Sequence, residues 1–412
     1  MIEFSHLMAS LNQAEVPRIP EPVYTDLVSW ISREIPDETL SEFVVWSFGC
    51  ISDSELPSTW THQGFFSPHY SKKSIFAVLA LIMRSKPDVL RSELPSQGNK
   101  AFSLTVWMIK QACQSDLHVG LYSWVRYLLP LLITDLHCNC LILKLVDIIL
   151  EKPGALTKLE NHPVWGKQLL IPPSSFDNLL RLKFSPTSPT VMDKTRFVKI
   201  YGSLKRVALA GALKRKAIIQ QIFTVSLRLA GEEGNPVLAK EAAEMAFWSL
   251  TEDYYVCWRL WYNISKENRA ASVVLLKTLL EKWNKHSLKL PSSSPPPDAM
   301  SEFIQCVFTL SLVVADDEGN TDLAREATEI AIWSLAKNFF CWALWGCLCR
   351  DYLHASLGLV ENLVNVFKVH SPKLSSSREE GMTEFIANIF RVSLRLAGEG
   401  NPIVARKAVE RI

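Results

Sequence analysis

A chain of 412 residues with 48% apolar and 21% charged residues has enough hydrophobic material for a large core, which excludes a wholly disordered polymer. Its formal net charge of +2 provides no global attraction to nucleic acid or to an anionic membrane. Nine irregularly spaced cysteines follow an N-terminus, Met1-Ile2-Glu3-Phe4-Ser5, that does not read as a signal peptide. They are expected as reduced thiols in a cytosolic setting.

Helical periodicity runs from end to end, and no segment alternates as a strand would. Ile19-Pro20-Glu21-Pro22 holds the chain extended before a first helix, in which Val23, Leu27, Trp30 and Ile31 recur at helical spacing. Asp37 is expected to cap a second helix bearing Leu40, Phe43, Val44 and Phe48. Residues 52–70, with Pro57, Gly64 and Pro68, read as a long loop. Further helices are expected over about 71–84, 101–116, 118–129 and 136–151. The most apolar stretches, Ile75–Met83 and Leu141–Leu150, fall well short of the ~18–20 residues of a membrane span, so they read as buried helices. Pro153-Gly154 and Ile171-Pro172-Pro173 interrupt the pattern before Phe176, Leu179, Leu180 and Leu182 resume it. Ser185-Pro186-Thr187-Ser188-Pro189 is the expected boundary of an N-terminal helical domain over 1–185.

The remainder is an internal repeat. Phe223-Thr224-Val225-Ser226-Leu227 returns as Phe308-Thr309-Leu310-Ser311-Leu312 and as Phe390-Arg391-Val392-Ser393-Leu394. Gly234-Asn235 returns as Gly319-Asn320 and Gly400-Asn401. Between 223–250 and 308–335, 17 of 28 positions are identical, which only a tandem duplication explains. In one unit, a helix ends at Gly231 and Gly234-Asn235-Pro236 turns the chain into the next. That helix presents Leu238, Ala242, Met245 and Trp248, and its copy presents Leu323, Ala327, Ile330 and Trp333. Two more helices, near 254–264 and 267–284, complete a unit of two hairpins. A hairpin of this kind buries its apolar face by stacking on a neighbour, so the expected fold is all-α: an ARM/HEAT-like helical hairpin array, or α-solenoid, behind the N-terminal domain. Units are expected at 190–290 and 299–374, with a truncated third at 382–412. That third copy leaves Phe390, Leu394, Leu396, Val404 and Ala408 as an open face, so the array is expected to continue past Ile412. Ser185-Pro186, Ser188-Pro189, Ser294-Pro295 and Ser371-Pro372 all fall in expected linkers, as turn chemistry or as sites for phosphate.

Chemistry-bearing motifs are sparse. His137, Cys138 and Cys140, and again Cys341, Cys347 and Cys349, lack the CxxC pairing of a structural zinc site. Gly211 and Gly231 stand isolated, and phosphate-loop, dinucleotide, nucleophile-elbow and HExxH patterns are all missing. No catalytic residue, metal, cofactor or small-molecule substrate is therefore expected. Trp258 and Trp261, with Trp342 and Trp345 in the copy, keep helical spacing and suit a core or a concave aromatic surface for a peptide. Lys194, Arg196, Lys199, Lys205, Arg206, Lys214, Arg215 and Lys216 follow one another with no acid between, a stripe that suits solvated helix faces, an anionic membrane surface or an acidic partner. Nucleic acid is not expected, because no aromatic platforms interleave these bases.

Several segments resemble the transmembrane protein 214 family, closest to its plant members. They are Ile19-Pro20-Glu21-Pro22-Val23-Tyr24, Thr105-Val106-Trp107-Met108, Val119-Gly120-Leu121-Tyr122-Ser123-Trp124, Ile171-Pro172-Pro173, Val207-Ala208-Leu209-Ala210-Gly211-Ala212, and Gly234-Asn235-Pro236-Val237-Leu238-Ala239-Lys240-Glu241-Ala242. The resemblance implies an endoplasmic-reticulum protein with a cytosolic helical region, a C-terminal membrane anchor and a part in stress-induced apoptosis through caspase recruitment. It implies no catalytic residues. This chain departs from the family after Lys285-His286-Ser287-Leu288-Lys289-Leu290, where it repeats the preceding unit instead of entering an anchor. The expectation is a non-enzymatic scaffold for protein partners at the cytosolic face of the endoplasmic-reticulum membrane, or in the cytosol if no anchor follows. The alternatives are a peripheral membrane module acting through the basic stripe, and an unrecognised enzyme or small-molecule binder.

Overall fold

The computed structural model describes residues 20–52, 72–91, 99–134, 139–184, 191–286, 299–317, 319, 321–370 and 379–397. The expected loop at 52–70, the Ser-Pro pairs and the second helix of the third copy lie, all or nearly all, outside the described residues. Helices packed as adjacent pairs make up nearly all of what is described, and contacts divide the chain into two compact units, Met1–Arg215 and Lys216–Ile412. Among the described residues no helix is long and apolar enough to cross a membrane.

The first unit holds α1 (Glu21–Glu34), α2 (Asp37–Ser52), α3 (Lys72–Ser85), α4 (Asn99–Ser115), α5 (Leu117–Ser123), α6 (Leu131–Thr134), α7 (Asn139–Leu150), α8 (Ala155–Asn161), α9 (Pro173–Phe184) and α10 (Val191–Leu213). The two apolar stretches become α3 and α7, whose Phe76, Leu79, Met83, Ile142, Val146 and Ile149 are buried. On α1 only Ile31 is buried, and Val23 and Trp30 face solvent. Asp37 proves to be the first residue of α2 and not its cap: Leu40 N–H donates to the Pro36 carbonyl, and the Asp37 carboxylate meets Lys86 Nζ at 2.9 Å. One strand pair escapes the sequence reading. Val164–Trp165 pairs antiparallel with Gln168–Leu169 across Gly166, which sits at φ 60°, and two-residue strands are too short to show any periodicity.

α5 runs without a break into a π-helical turn, Trp124–Leu128, and the buried Trp124 Nε1 donates to the Ile142 carbonyl on α7 at 2.9 Å. Gly120 lets α4 and α5 touch, since a Cβ there would sit 2.4 Å from the Cys113 Cβ. Asp116 caps α5, accepting from the His118 backbone N–H at 2.8 Å and lying 3.0 Å from His118 Nδ1. That side-chain hydrogen bond raises the His118 pKa and lowers that of Asp116. The raised histidine stabilises the fold fully below its unfolded pKa, and the gain is lost as pH rises through its folded pKa. The lowered aspartate stabilises above its unfolded pKa and loses the gain as pH falls through its folded one. Thermal unfolding followed from slightly acid to slightly alkaline pH should therefore show a midpoint that falls for the parent and stays flatter for His118→Gln.

The second unit carries the repeat. Its first copy is α11 (Lys216–Ala230), α12 (Pro236–Glu252), α13 (Tyr254–Ile264) and α14 (Arg269–His286). Its second is α15 (Ala299–Ala315), α16 (Thr321–Lys337), α17 (Phe340–Leu348) and α18 (Leu353–His370), and α19 (Glu379–Ala397) opens the third. The turn after α11 forms as its residues require: Gly234 takes φ 87°, Asn235 Oδ1 accepts from Leu238 N–H at 3.0 Å, and Pro236 occupies the first helical turn. α11 packs on α12 and α15 on α16 by matching large side chains to small ones. Ile219, Phe223 and Leu227 are buried against a helix whose buried positions include Ala242, Ala243 and Ala246. Ile304, Phe308 and Leu312 meet the same arrangement, with Ala327 and Ala331 buried on α16. Ser249 and Ser334 behave as small residues here, returning their hydroxyls to the carbonyls of Met245 and Ile330.

Each copy is also pinned by one buried polar contact. Trp261 Nε1 donates to Ser272 Oγ at 2.9 Å and Trp345 Nε1 to Ser356 Oγ at 3.0 Å, with all four residues fully buried. A buried indole N–H left without an acceptor is costly, so the serine in the following helix fixes where that helix lies. The copies are joined by Arg269 Nη1 on Asp317 Oδ1 at 2.6 Å, by Lys277 on Glu326 at 2.7 Å, and by the hydroxyls of Tyr262 and Tyr352 at 2.8 Å. Trp248 and Trp333 are only half-buried, although they were expected on the core face. Two successive steps of three residues turn Trp248 about 120° back from Ala242, off the buried arc. Trp345→Ala should therefore cost about 3–5 kcal/mol in chemical unfolding, and Trp333→Ala clearly less. Equal losses would show that the two faces are packed alike.

Candidate interaction surfaces

Among the described residues of α10, the bases of the stripe do not share one face. Along α10 the helical turn sets Lys199 and Arg206 on one flank and Lys205, about 100° or more away, on the other. The Lys194 side chain lies outside the described residues. Arg196 Nε meets Asp147 Oδ2 on α7 at 3.0 Å, and Arg206 grips Glu160 on α8 through two contacts of 2.6 and 3.0 Å. Arg215 donates to the Lys167 carbonyl at 3.1 Å. Lys205 is half-buried, whereas Lys199, Lys214 and Lys216 are exposed. A cleft of about 780 Å³ between α7 and α10 is lined by Asp147, Glu151, Thr195, Arg196, Lys199 and Ser203. Its two bases face two acids, and desolvation raises the Asp147 pKa despite Arg196 beside it.

The cysteine clusters open out in space. His137 and Cys138 lie outside the described residues, while Cys140 is exposed beside Arg196. Cys341 and Cys349 are buried, but Cys347 faces solvent. Among the described residues no three His, Cys, Asp or Glu side chains are grouped to hold a metal ion. Burial pushes the Cys257 and Cys341 thiols, which occupy equivalent places in the two copies, up to about 12. Iodoacetamide labelling read by mass spectrometry should modify Cys140 and Cys347 in the native chain and reach Cys257 and Cys341 only on unfolding. Native labelling of the latter pair would contradict the packing described.

Two further surfaces are apolar: the sequence reading missed the first and named Phe390 and Leu394 of the second. The first lies at the turn after the second helix of each copy. Asp253 and Asn338, both buried, anchor this turn to the first helix of their copy: Gln220 Nε2 donates to Asp253 Oδ2 at 3.3 Å, and Asn338 Nδ2 donates to the Ser301 carbonyl at 2.9 Å. The anchored turn holds its next aromatic side chains in water, with Tyr255 71%, Phe339 59% and Phe340 63% exposed. The signal was present in the sequence, as aromatic residues following a polar residue at the same place in both copies.

The second surface is on α19, which packs against α17 and α18. Ile389, Val392 and Leu396 are buried there, and Arg395 reaches the Gly346 carbonyl. Ile386, Phe390 and Leu394, one turn apart from each other, are about half-exposed. Leu396, expected on the open face, is instead buried.

Comparison with known proteins yields no match: no protein family, curated protein or solved structure is significantly similar to this chain.

Proposed function

We propose that this chain is a non-enzymatic scaffold, an ARM/HEAT-like α-solenoid behind an N-terminal helical domain, that binds protein partners. The observation that carries the reading is the exposure of Tyr255, Phe339 and Phe340 at the same anchored turn of both copies. Large aromatics held in water by a rigid turn lose little conformational freedom on binding and are typical anchors of protein interfaces. Repetition along an array presents such anchors at intervals to one elongated partner. The segments that resemble the transmembrane protein 214 family support a place at the cytosolic face of the endoplasmic-reticulum membrane, and with it a part in stress-induced apoptotic signalling.

A peripheral membrane module is the second reading, favoured by the exposed Lys199 and Lys214. One set of variants separates the two. Proximity labelling in cells should lose a defined set of protein neighbours in the Tyr255→Ser, Phe339→Ser, Phe340→Ser triple variant and keep it in Lys214→Glu, Arg215→Glu, Lys216→Glu. Sedimentation with phosphatidylserine vesicles should be unaffected by either set. An unchanged neighbour set in the aromatic variant, with vesicle binding lost on charge reversal, would replace the scaffold by the membrane module.

A further inference from the structure

We propose that the face of α19 formed by Ile386, Phe390 and Leu394 is a docking site for an acidic amphipathic helix presented by a partner protein. The three residues align with Ile219, Phe223 and Leu227 on α11, and with Ile304, Phe308 and Leu312 on α15. Those six are buried to 5% exposure or less, against 47–55% for Ile386, Phe390 and Leu394. In both earlier copies the helix that carries this row packs most extensively on the next one, α12 or α16, and Phe223 also meets Trp261 of α13 edge-on at 6.3 Å. The shape required of an occupant is therefore on view twice: a helix with alanines a turn apart, as Ala242 and Ala246 or Ala327 and Ala331, set against large side chains.

Charge selects the occupant. Beside the row, α19 carries exposed Arg391 and Arg395 where α11 has Thr224 and Arg228 and α15 has Thr309 and Val313. Their hydrogen bonds go to neutral acceptors, Arg391 to Asn388 Oδ1 at 2.8 Å and Arg395 to the Gly346 carbonyl. Two guanidiniums one turn apart alongside an apolar row favour carboxylates on the rim of an incoming helix. The chain's own 401–412 stretch matches the start of α12 in sequence, but it brings Arg406, Lys407 and Arg411 against the single Glu410. That is the wrong sign for this rim. A second copy of α19 would likewise set arginine near arginine, and large side chains against large ones. This surface is distinct from the aromatic turns, so either can fail its test while the other stands.

The probe is a fluorescent synthetic peptide with the α12 sequence, Pro236–Glu252, which has the alanine face and three glutamates against one lysine. Titrated with the full chain, its anisotropy should saturate and its helical circular dichroism should grow. Phe390→Asp and, separately, Arg391→Glu should each weaken binding at least tenfold, and replacing Glu241 and Glu244 of the peptide with Lys should abolish it. Both variants alter exposed side chains, and the far-ultraviolet spectrum of each chain checks that it stays folded. The proposal is overturned if the peptide does not bind or if neither variant matters. It is also overturned if binding appears only in the Val404→Asp chain, which would mean that 401–412 occupies the face. A dimer in sedimentation that Phe390→Asp dissociates would assign the face to self-association and overturn it as well.

Discussion

The repeated helix pairs rest on one constraint: a helix bearing large apolar side chains meets a helix rich in small ones. Phe223 and Leu227 are fully buried on α11, which packs on an α12 whose buried positions include Ala242 and Ala246, and Phe308 and Leu312 stand in the same relation to Ala327 and Ala331. Burying each large side chain is worth about 1.5–3 kcal/mol, so three per hairpin outweigh any single polar contact in the unit. The order of the remaining helices follows. α14 packs on both members of the first pair and on both members of the second, which makes it the element that carries one hairpin onto the next.

Polar contacts do different work, setting direction where apolar packing is permissive. Trp261 and Trp345 could rotate within a greasy layer, but each indole N–H has one acceptor, a serine eleven residues on. Asp253 and Asn338 fix the turn that follows the second helix in each copy, although their partners differ. The duplication has therefore preserved the places where a polar anchor is required and allowed the chemistry of the anchor to drift.

Helix existence was legible almost throughout, because the apolar period of 3.6 and the proline and glycine punctuation are local properties. The repeat was legible for the same reason, down to the Gly234-Asn235-Pro236 turn. What could not be read was orientation about the helix axis. Trp248 and Trp333 share a pattern with Ala242 and Ala327 but lie off the buried arc, and Lys205 and Arg206, neighbours in the string, stand on different flanks of α10. Arg196 and Arg206 find carboxylates on α7 and α8, residues far away in the chain whose proximity depends on tertiary packing. The Val164–Leu169 hairpin was invisible because two-residue strands carry no period.

The informative positions are those where the repeat departs from its own rule. A duplicated unit begins with identical demands at every position, so a residue that keeps its apolar identity while losing its burial is answering to something besides the fold. Phe390 keeps the phenylalanine of Phe223 and Phe308 and yet is half-exposed, and the change from threonine to arginine at Arg391 stands directly beside it. Drift toward solubility would have replaced Phe390 and Leu394 with polar residues, at no cost to packing that α19 does not make. Retention of the apolar row together with a gain of positive charge at Arg391 is the combination expected of an interface, in which the row supplies affinity and the rim selects the partner.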